Sequence, residues 1–227
     1  MEEMLMKVKL ISWSKPARHM YDEGIMNVED LISFCARVSN PSNQFNTATS
    51  EKLIRYLIKH KHWSPLELTN ICLEIETTRD IARQLLRHRS FSFQEFSQRY
   101  ANPLEDLDFV IREARLQDTT NRQNSIETND FKLQEEWELI QKSTIEVAKN
   151  AYNWAIERGI AKEQARCVLP EGNTVSKLYV NGTIRSWVHY IELRSSNGTQ
   201  KEHMEIARKC AKVIAEVFPM AEEFITE

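Results

Sequence analysis

The densest polar chemistry in the chain lies between Gln84 and Tyr100, which reads QLLRHRSFSFQEFSQRY. Arg87, His88, Arg89 and Arg99 supply cationic or imidazole groups, Ser92 and Ser97 hydroxyls, and Glu95 an acceptor. Such a set suits a phosphorylated ligand: arginine forks bind phosphate bidentately, hydroxyls fill the remaining lone pairs, and a carboxylate holds a sugar hydroxyl. In a helix running from about Thr78 to His88, Arg79, Arg83 and Arg87 fall within an arc of about 80°. Ile81, Ala82, Leu85 and Leu86 fill the opposite arc, so one face packs and the other presents three guanidiniums. Like charges four apart repel, and Glu76, Asp80 or a ligand must offset them. A salt-bridged, solvated surface is the plainer reading of this charge pattern, and both readings stand at this point.

The rest of the chain must position that segment. Residues 5–13 alternate loosely and suit a first strand. Asn27 caps a helix with Val28, Leu31, Ile32 and Cys35 on one face, ending near Ser39 before Asn40-Pro41. A second helix fits 50–61. In 68–77, Ile71, Leu73 and Ile75 alternate with Cys72, Glu74 and Glu76, the pattern of a half-buried strand. Residues 101–130 are polar and read as a long loop with one strand-like piece, Phe109-Val110-Ile111; loops of that length are uncommon unless functional or mobile. Helices follow over 131–157, which Gly159 ends, over 161–168, 183–194 and 200–218, with a strand at 174–181. The stripe Met204, Ile206, Ala207, Cys210, Val213, Ile214 and Val217 reads as core or subunit contact. The expectation is α+β: a mixed, largely antiparallel sheet with a helical layer, in a single domain.

Composition narrows the function. The chain has 227 residues and a net charge of −3, which makes the whole molecule a poor match for nucleic acid or acidic lipid. Its 5 glycines are all isolated, so neither a dinucleotide fingerprint nor a phosphate-binding P-loop exists; any nucleotide must be held by side chains. The N-terminus begins acidic without the apolar core of a signal peptide, and no apolar run approaches a membrane span. A cytoplasmic protein is expected. Cys35, Cys72, Cys167 and Cys210 form no CxxC pair and read as reduced, mostly buried thiols. Cys167, beside Arg166, reads as a small apolar filler rather than a nucleophile. His60-x-His62 with Glu67 and Cys72 matches no zinc pattern, so no metal is expected.

Arg87-His88-Arg89, seven residues, then Ser97 followed by x-Arg-Tyr resembles the signature of the flavin-dependent thymidylate synthases. Further segments resemble the family in the same order: Cys35-Ala-Arg-Val-Ser39, His62-x-Ser64-Pro65, Ala82-Arg-Gln84, Arg166-x-Val-Leu-Pro170, and Arg185-Ser…Leu193-Arg194…Gln200-x-Glu202. They span about 35 to 205. The resemblance implies reductive methylation of deoxyuridylate to thymidylate. Methylenetetrahydrofolate is the carbon donor and FAD, reduced by NADPH, the hydride carrier, in a homotetramer whose subunits share active sites.

Carried over by matching position, the resemblance implies that Arg87, His88 and Arg89 contact FAD. Ser64, Glu95, Thr183, Arg185 and His189 are further flavin contacts. Gln84, Arg87, Glu95, Ser97, Arg99, Arg166 and Arg194 surround deoxyuridylate, with Ser97 and Arg99 near its phosphate. Arg194 matches the arginine that polarises the uracil ring, the catalytic role; His62 sits where the family places a histidine near flavin and folate. The chain departs from the family at Gln94, Thr183 and His189, commonly Asn there, and at Gln98, commonly Gly. Two other readings remain from the residues alone: a nucleic-acid-binding module using the arginine face, opposed by the acidic stretch around Glu105, Asp106 and Asp108, and a flavin-dependent NADPH oxidase without methyl transfer.

Overall fold

Alternation along β2 (Asn70–Thr78) decides the architecture. Ile71, Leu73 and Ile75 are fully buried, while Glu74 and Glu76 meet lysines on the other face: Lys9 at 3.4 Å, and Lys7 at 3.6 Å with Lys177 at 2.9 Å. One face therefore packs and the other carries cross-strand ion pairs, as antiparallel sheets allow. A computed structural model describes residues 6–226. The flanking strands are β1 (Lys7–Trp13) and, far along the chain, a strand over Val175–Thr183; Leu5 of the expected first strand lies outside the described residues. The helices before β2 are α1 (Arg18–Asp22), α2 (Val28–Ala36) and α3 (Ser50–Lys59). Asn27 caps α2 by accepting from Asp30 N at 2.8 Å, as its position predicts.

After β2 come α4 (Arg79–Leu85), β3 (Ser92–Glu95), α5 (Pro103–Asp106), β4 (Arg115–Gln117), β5 (Ser125–Glu127), α6 (Phe131–Glu157) and α7 (Lys162–Ala165). The chain then returns as β6 (Val175–Thr183), α8 (Ile184–Arg194) and α9 (Lys201–Ala215). The main sheet has the order β1-β2-β6-β3, antiparallel throughout, and β4 and β5 form a separate hairpin. Trp187, Val188 and Ile191 of α8 and Ile206, Ala207, Cys210 and Ile214 of α9 join the β2–β6 face in one core. Trp187 Nε1 donates to Ile71 O at 3.0 Å, so the largest core side chain also fastens helix to sheet.

Several expectations need correction. The 101–130 segment is not a plain loop: it contains α5 and the β4–β5 hairpin, and Phe109 makes only an isolated bridge with Thr174. Its polar side chains form long-range pairs, Arg112 with Asp80 at 2.7 Å and Arg115 with Glu202. The helix expected to reach His88 stops at Leu85, and α9 ends at Ala215, with Pro219 opening a separate 3-10 turn. Cys167 is exposed, not a buried filler.

Gly182, next to last in β6, lies under the Phe91 ring; a Cβ there would run into the ring. Phe91 in turn packs against Trp187 at 4.5 Å between centroids and approaches His88 at 6.3 Å. This close approach seats the segment that follows α4 onto the sheet. Gly182→Ala should therefore destabilise the protein by about 1–3 kcal/mol in denaturant unfolding. Gly172→Ala, where a Cβ meets nothing within 4 Å, should stay within about 0.5 kcal/mol of wild type.

Candidate active site

Three groups of side chains gather around α4, β3 and α8. The first lies where the ends of α4 and α8 meet the start of α9. Beyond Leu85 the chain turns, with His88 N donating to Leu85 O at 3.0 Å and Phe91 N to His88 O at 3.2 Å. This turn carries the His88 ring inward against Tyr190, edge-on, at 5.1 Å. Arg194, the last residue of α8, donates from Nε to His88 Nε2 at 2.9 Å. Burial first, and the Arg194 charge second, pull the His88 imidazole down to about 4. It is therefore neutral near pH 7 and can accept that hydrogen bond. Gln84 belongs to the same group: its Nε2 donates to Gln200 Oε1 at 2.8 Å, and its Oε1 lies 3.2 Å from His203 Nδ1.

The second group sits at the start of α8. Thr183 caps that helix, its hydroxyl accepting from Ser186 N at 3.2 Å, so its side chain has a structural task. Arg185 ion-pairs with Glu67, and His189, one turn on, meets Trp63 edge-on at 4.4 Å. Burial, then Arg185, lowers the His189 imidazole below its ordinary value. Ser64 is exposed and opens the adjoining 3-10 turn, Ser64–Glu67. Ser186 Oγ donates to Ser90 O at 3.2 Å, tying α8 to the segment that follows Arg89.

The third group lies along β3 and beyond. Glu95 Oε1 accepts from Ser176 Oγ at 2.7 Å and stands 3.5 Å from Arg79. Ser97 Oγ accepts from Arg99 N at 3.4 Å, and Arg99 is loosely paired with Glu163 at 3.8 Å. Arg166 begins the 3-10 turn after α7. The supposed three-arginine face of α4 is corrected here: Arg79 pairs with Glu95 and Arg83 with Glu171, neither with Glu76 or Asp80. Only Arg87 is left over, because distant carboxylates reached by folding neutralise the other two.

That bookkeeping of charge sorts the arginines. Among the described residues, Arg79, Arg83, Arg99 and Arg185 have carboxylate partners within 4 Å, whereas Arg87, Arg89, Arg166 and Arg194 have none. In a chain with 33 acidic residues, such guanidiniums are suited to an anionic ligand. Within one copy, a direct hydrogen bond joins His88 with Arg194, and Gln84 reaches them through His203, whose ring centroid lies 6.3 Å from that of His88. No side-chain hydrogen bond or ion pair among the described residues joins this group to the second and third. A cleft of about 860 Å³ between α2, α3 and the end of β1 is lined by none of these residues.

Sequence reasoning did not single out His203, which is fully buried beside Gln84. The signal was present: it is a lone polar residue on the apolar face of α9 that Ile206, Ala207 and Cys210 define. It also passed over Arg112 and Arg115, whose partners are remote in sequence.

Comparison with known proteins gives the family. A family model described as thymidylate synthase complementing protein matches residues 24–220. A probable flavin-dependent thymidylate synthase of Paramecium bursaria Chlorella virus 1 is 49% identical over 94% of this chain and 96% of its own. A flavin-dependent thymidylate synthase of Synechocystis is 44% identical over the same shares. In structure, the chain is similar to a UMP/dUMP methylase, PolB, from Streptomyces cacaoi bound with 5-Br dUMP, with a TM-score of 0.78 and 25% identity, covering 96% of this chain and 93% of that one. With matches of this extent and order, the chain belongs to the flavin-dependent thymidylate synthases.

Proposed function

We propose that this protein converts deoxyuridylate to thymidylate by reductive methylation, with methylenetetrahydrofolate as carbon donor and NADPH as reductant. The observation that carries the reading is that Arg87, Arg89, Arg166 and Arg194 lie in family segments and have no carboxylate partner among the described residues. Arg37, also unpaired and in such a segment, is buried and donates to Asn46 O and Thr49 Oγ1 instead. Their chemistry fits FAD, whose pyrophosphate and ring carbonyls are acceptors and need no glycine-rich loop when side chains supply the donors. When bound, FAD supplies the hydride chemistry. Arg87, His88, Arg89, Ser64, Glu95, Thr183, Arg185 and His189 are the residues assigned to hold it. Gln84, Arg87, Glu95, Ser97, Arg99, Arg166 and Arg194 are assigned to the nucleotide. The three groups suit a site completed by further copies of the chain in a homotetramer. No helix among the described residues is long and apolar enough to cross a membrane, and a cytoplasmic location fits this chemistry.

The contact with His88 supports a defined task for Arg194. Its Nε–H is spent on His88 Nε2, so the two terminal nitrogens of the fork remain for a ligand. The accepting imidazole fixes the plane of that fork. A fixed cation at a pyrimidine carbonyl or ring nitrogen stabilises negative charge that develops as the ring is attacked. Ser97 has no base within hydrogen-bond reach among the described residues; its hydroxyl accepts from the Arg99 amide. Holding phosphate, rather than acting as nucleophile, is its role.

Tritium release from labelled deoxyuridylate tests the reading, with NADPH and methylenetetrahydrofolate omitted in turn. Release and thymidylate formation with both present support it. NADPH oxidation with no methyl transfer would favour a plain oxidase. Arg194→Ala should lower turnover by about 10²–10³-fold while FAD stays bound, and unchanged turnover would remove Arg194 from the mechanism.

A pH prediction follows from His88. Its folded value of about 4 lies below the ordinary imidazole value of about 6.5, so the unfolded chain binds the proton first. The stability contribution is complete above about pH 6.5 and is lost as pH falls toward 4. Between pH 7 and 5, wild type should lose about 1–2 kcal/mol more stability than His88→Asn, the lower figure allowing for solvent screening at this half-buried ring. Parallel pH profiles in denaturant unfolding would contradict the neutral, buried imidazole.

A further inference from the structure

His203, on the first turn of α9, is fully buried, and its Nε2 has no hydrogen-bond partner among the described residues. Its Nδ1 faces Gln84 Oε1 at 3.2 Å. From there a line of hydrogen bonds runs outward: Gln84 Nε2 donates to Gln200 Oε1 at 2.8 Å, and Gln200 Nε2 donates to Glu202 Oε2 at 3.0 Å. Glu202 ends the line, ion-paired with Arg115 and lying 4.0 Å from Arg112. Burial raises the Glu202 carboxyl, but its own backbone amide, the two arginines and Gln200 outweigh that effect and hold it below its ordinary range.

The line has a direction. An ionised carboxylate only accepts, so Gln200 must turn its amide nitrogen toward Glu202 and its oxygen toward Gln84. Gln84 must then turn its nitrogen to Gln200 and its oxygen to His203. Burial, with Arg194 and His88 nearby, pulls the His203 imidazole down to about 3, leaving a single N–H. That proton has to sit on Nδ1, the nitrogen facing an acceptor. Reversing any member would set two donors or two acceptors face to face.

We propose that this line, anchored at Glu202, fixes the orientation of the Gln84 amide, and that His203 is the positioning residue that locks its oxygen. One amide N–H and one lone pair of Gln84 are left, in a set geometry, for the pyrimidine nucleotide. The inference rests on the functional reading above and adds to it Gln200, Glu202 and His203 as determinants of nucleotide affinity.

Three substitutions separate positioning from packing. His203→Asn keeps a donor where Nδ1 stands but removes volume. His203→Gln keeps more volume but carries its donor out to the Nε2 position, and His203→Leu has no donor. Deoxyuridylate affinity of the FAD-loaded full chain is read by the change in flavin absorbance, with FAD content measured alongside. The Asn variant should retain most of the affinity. The Gln and Leu variants should lose about three- to tenfold, the worth of one hydrogen bond, with FAD content unchanged. In a Gln84→Ala background all three should have no further effect. Losses that follow volume, with Asn worse than Gln, or losses that add to Gln84→Ala, overturn the proposal. Should the buried substitutions fail to fold, Gln200→Leu at a half-buried position decides: a similar loss of affinity with FAD retained supports the proposal, and unchanged affinity overturns it. Wild-type protein that binds no deoxyuridylate would overturn the functional reading and this inference with it.

Discussion

The proposed site turns on one hydrogen bond, from Arg194 Nε to a His88 imidazole that is kept neutral. Imidazole beside a guanidinium is ordinarily an uneasy pair, since both are cations in acid. Here burial settles the conflict: His88 is shielded by Tyr190 and Phe91 and sheds its proton rather than be a second charge. The consequence is directional. A neutral acceptor holds the guanidinium by one edge and leaves the other edge available, which a carboxylate partner would have neutralised instead. Arg112 and Arg115, paired with Asp80 and Glu202 at largely buried positions, stabilise the fold instead.

Everything that supports this pair is ordinary packing. The alternating strand β2 buries Ile71, Leu73 and Ile75 against α8 and α9, which brings the end of α8 near the end of α4. Gly182 admits the Phe91 ring onto β6, and Phe91 carries the turn on which His88 sits. The polar segment after α5 is held down by Arg112 and Arg115, which reach Asp80 and Glu202. The scaffold and the second layer of polar contacts thus share residues, and Glu202 serves both.

Much of the fold was legible in the sequence because its signals are local. Asn27 is a cap in the expected place, accepting from a backbone N–H three residues on; Asp130, which the sequence reading did not name, caps α6 in the same way. Gly159 takes a positive φ of 75° at the end of α6, where only glycine is at ease. The buried face of β2 follows its alternation. What was not legible depends on contacts remote in sequence. The strand β3 is four residues long and its polar side chains read as chemistry rather than as an edge strand. The β4–β5 hairpin is short and exposed, with no apolar alternation to announce it. The partners of Arg79 and Arg83 are Glu95 and Glu171, and helical geometry alone pointed to nearer acids. The motif residues were found through resemblance. Their spacing alone did not separate a ligand site from a solvated face, because that distinction lies in which arginines find carboxylates after folding. His203 was hidden because a histidine on an apolar stripe is usually satisfied core.

Nitrogen-15 spectra of the His88 side chain, assigned by comparison with His88→Asn, test the central claim most directly. The account predicts a neutral ring at pH 6 with its proton on Nδ1 and a bare Nε2 accepting from Arg194, titrating near 4. A ring that titrates near the ordinary imidazole value of about 6.5, or that carries its proton on Nε2, would contradict it.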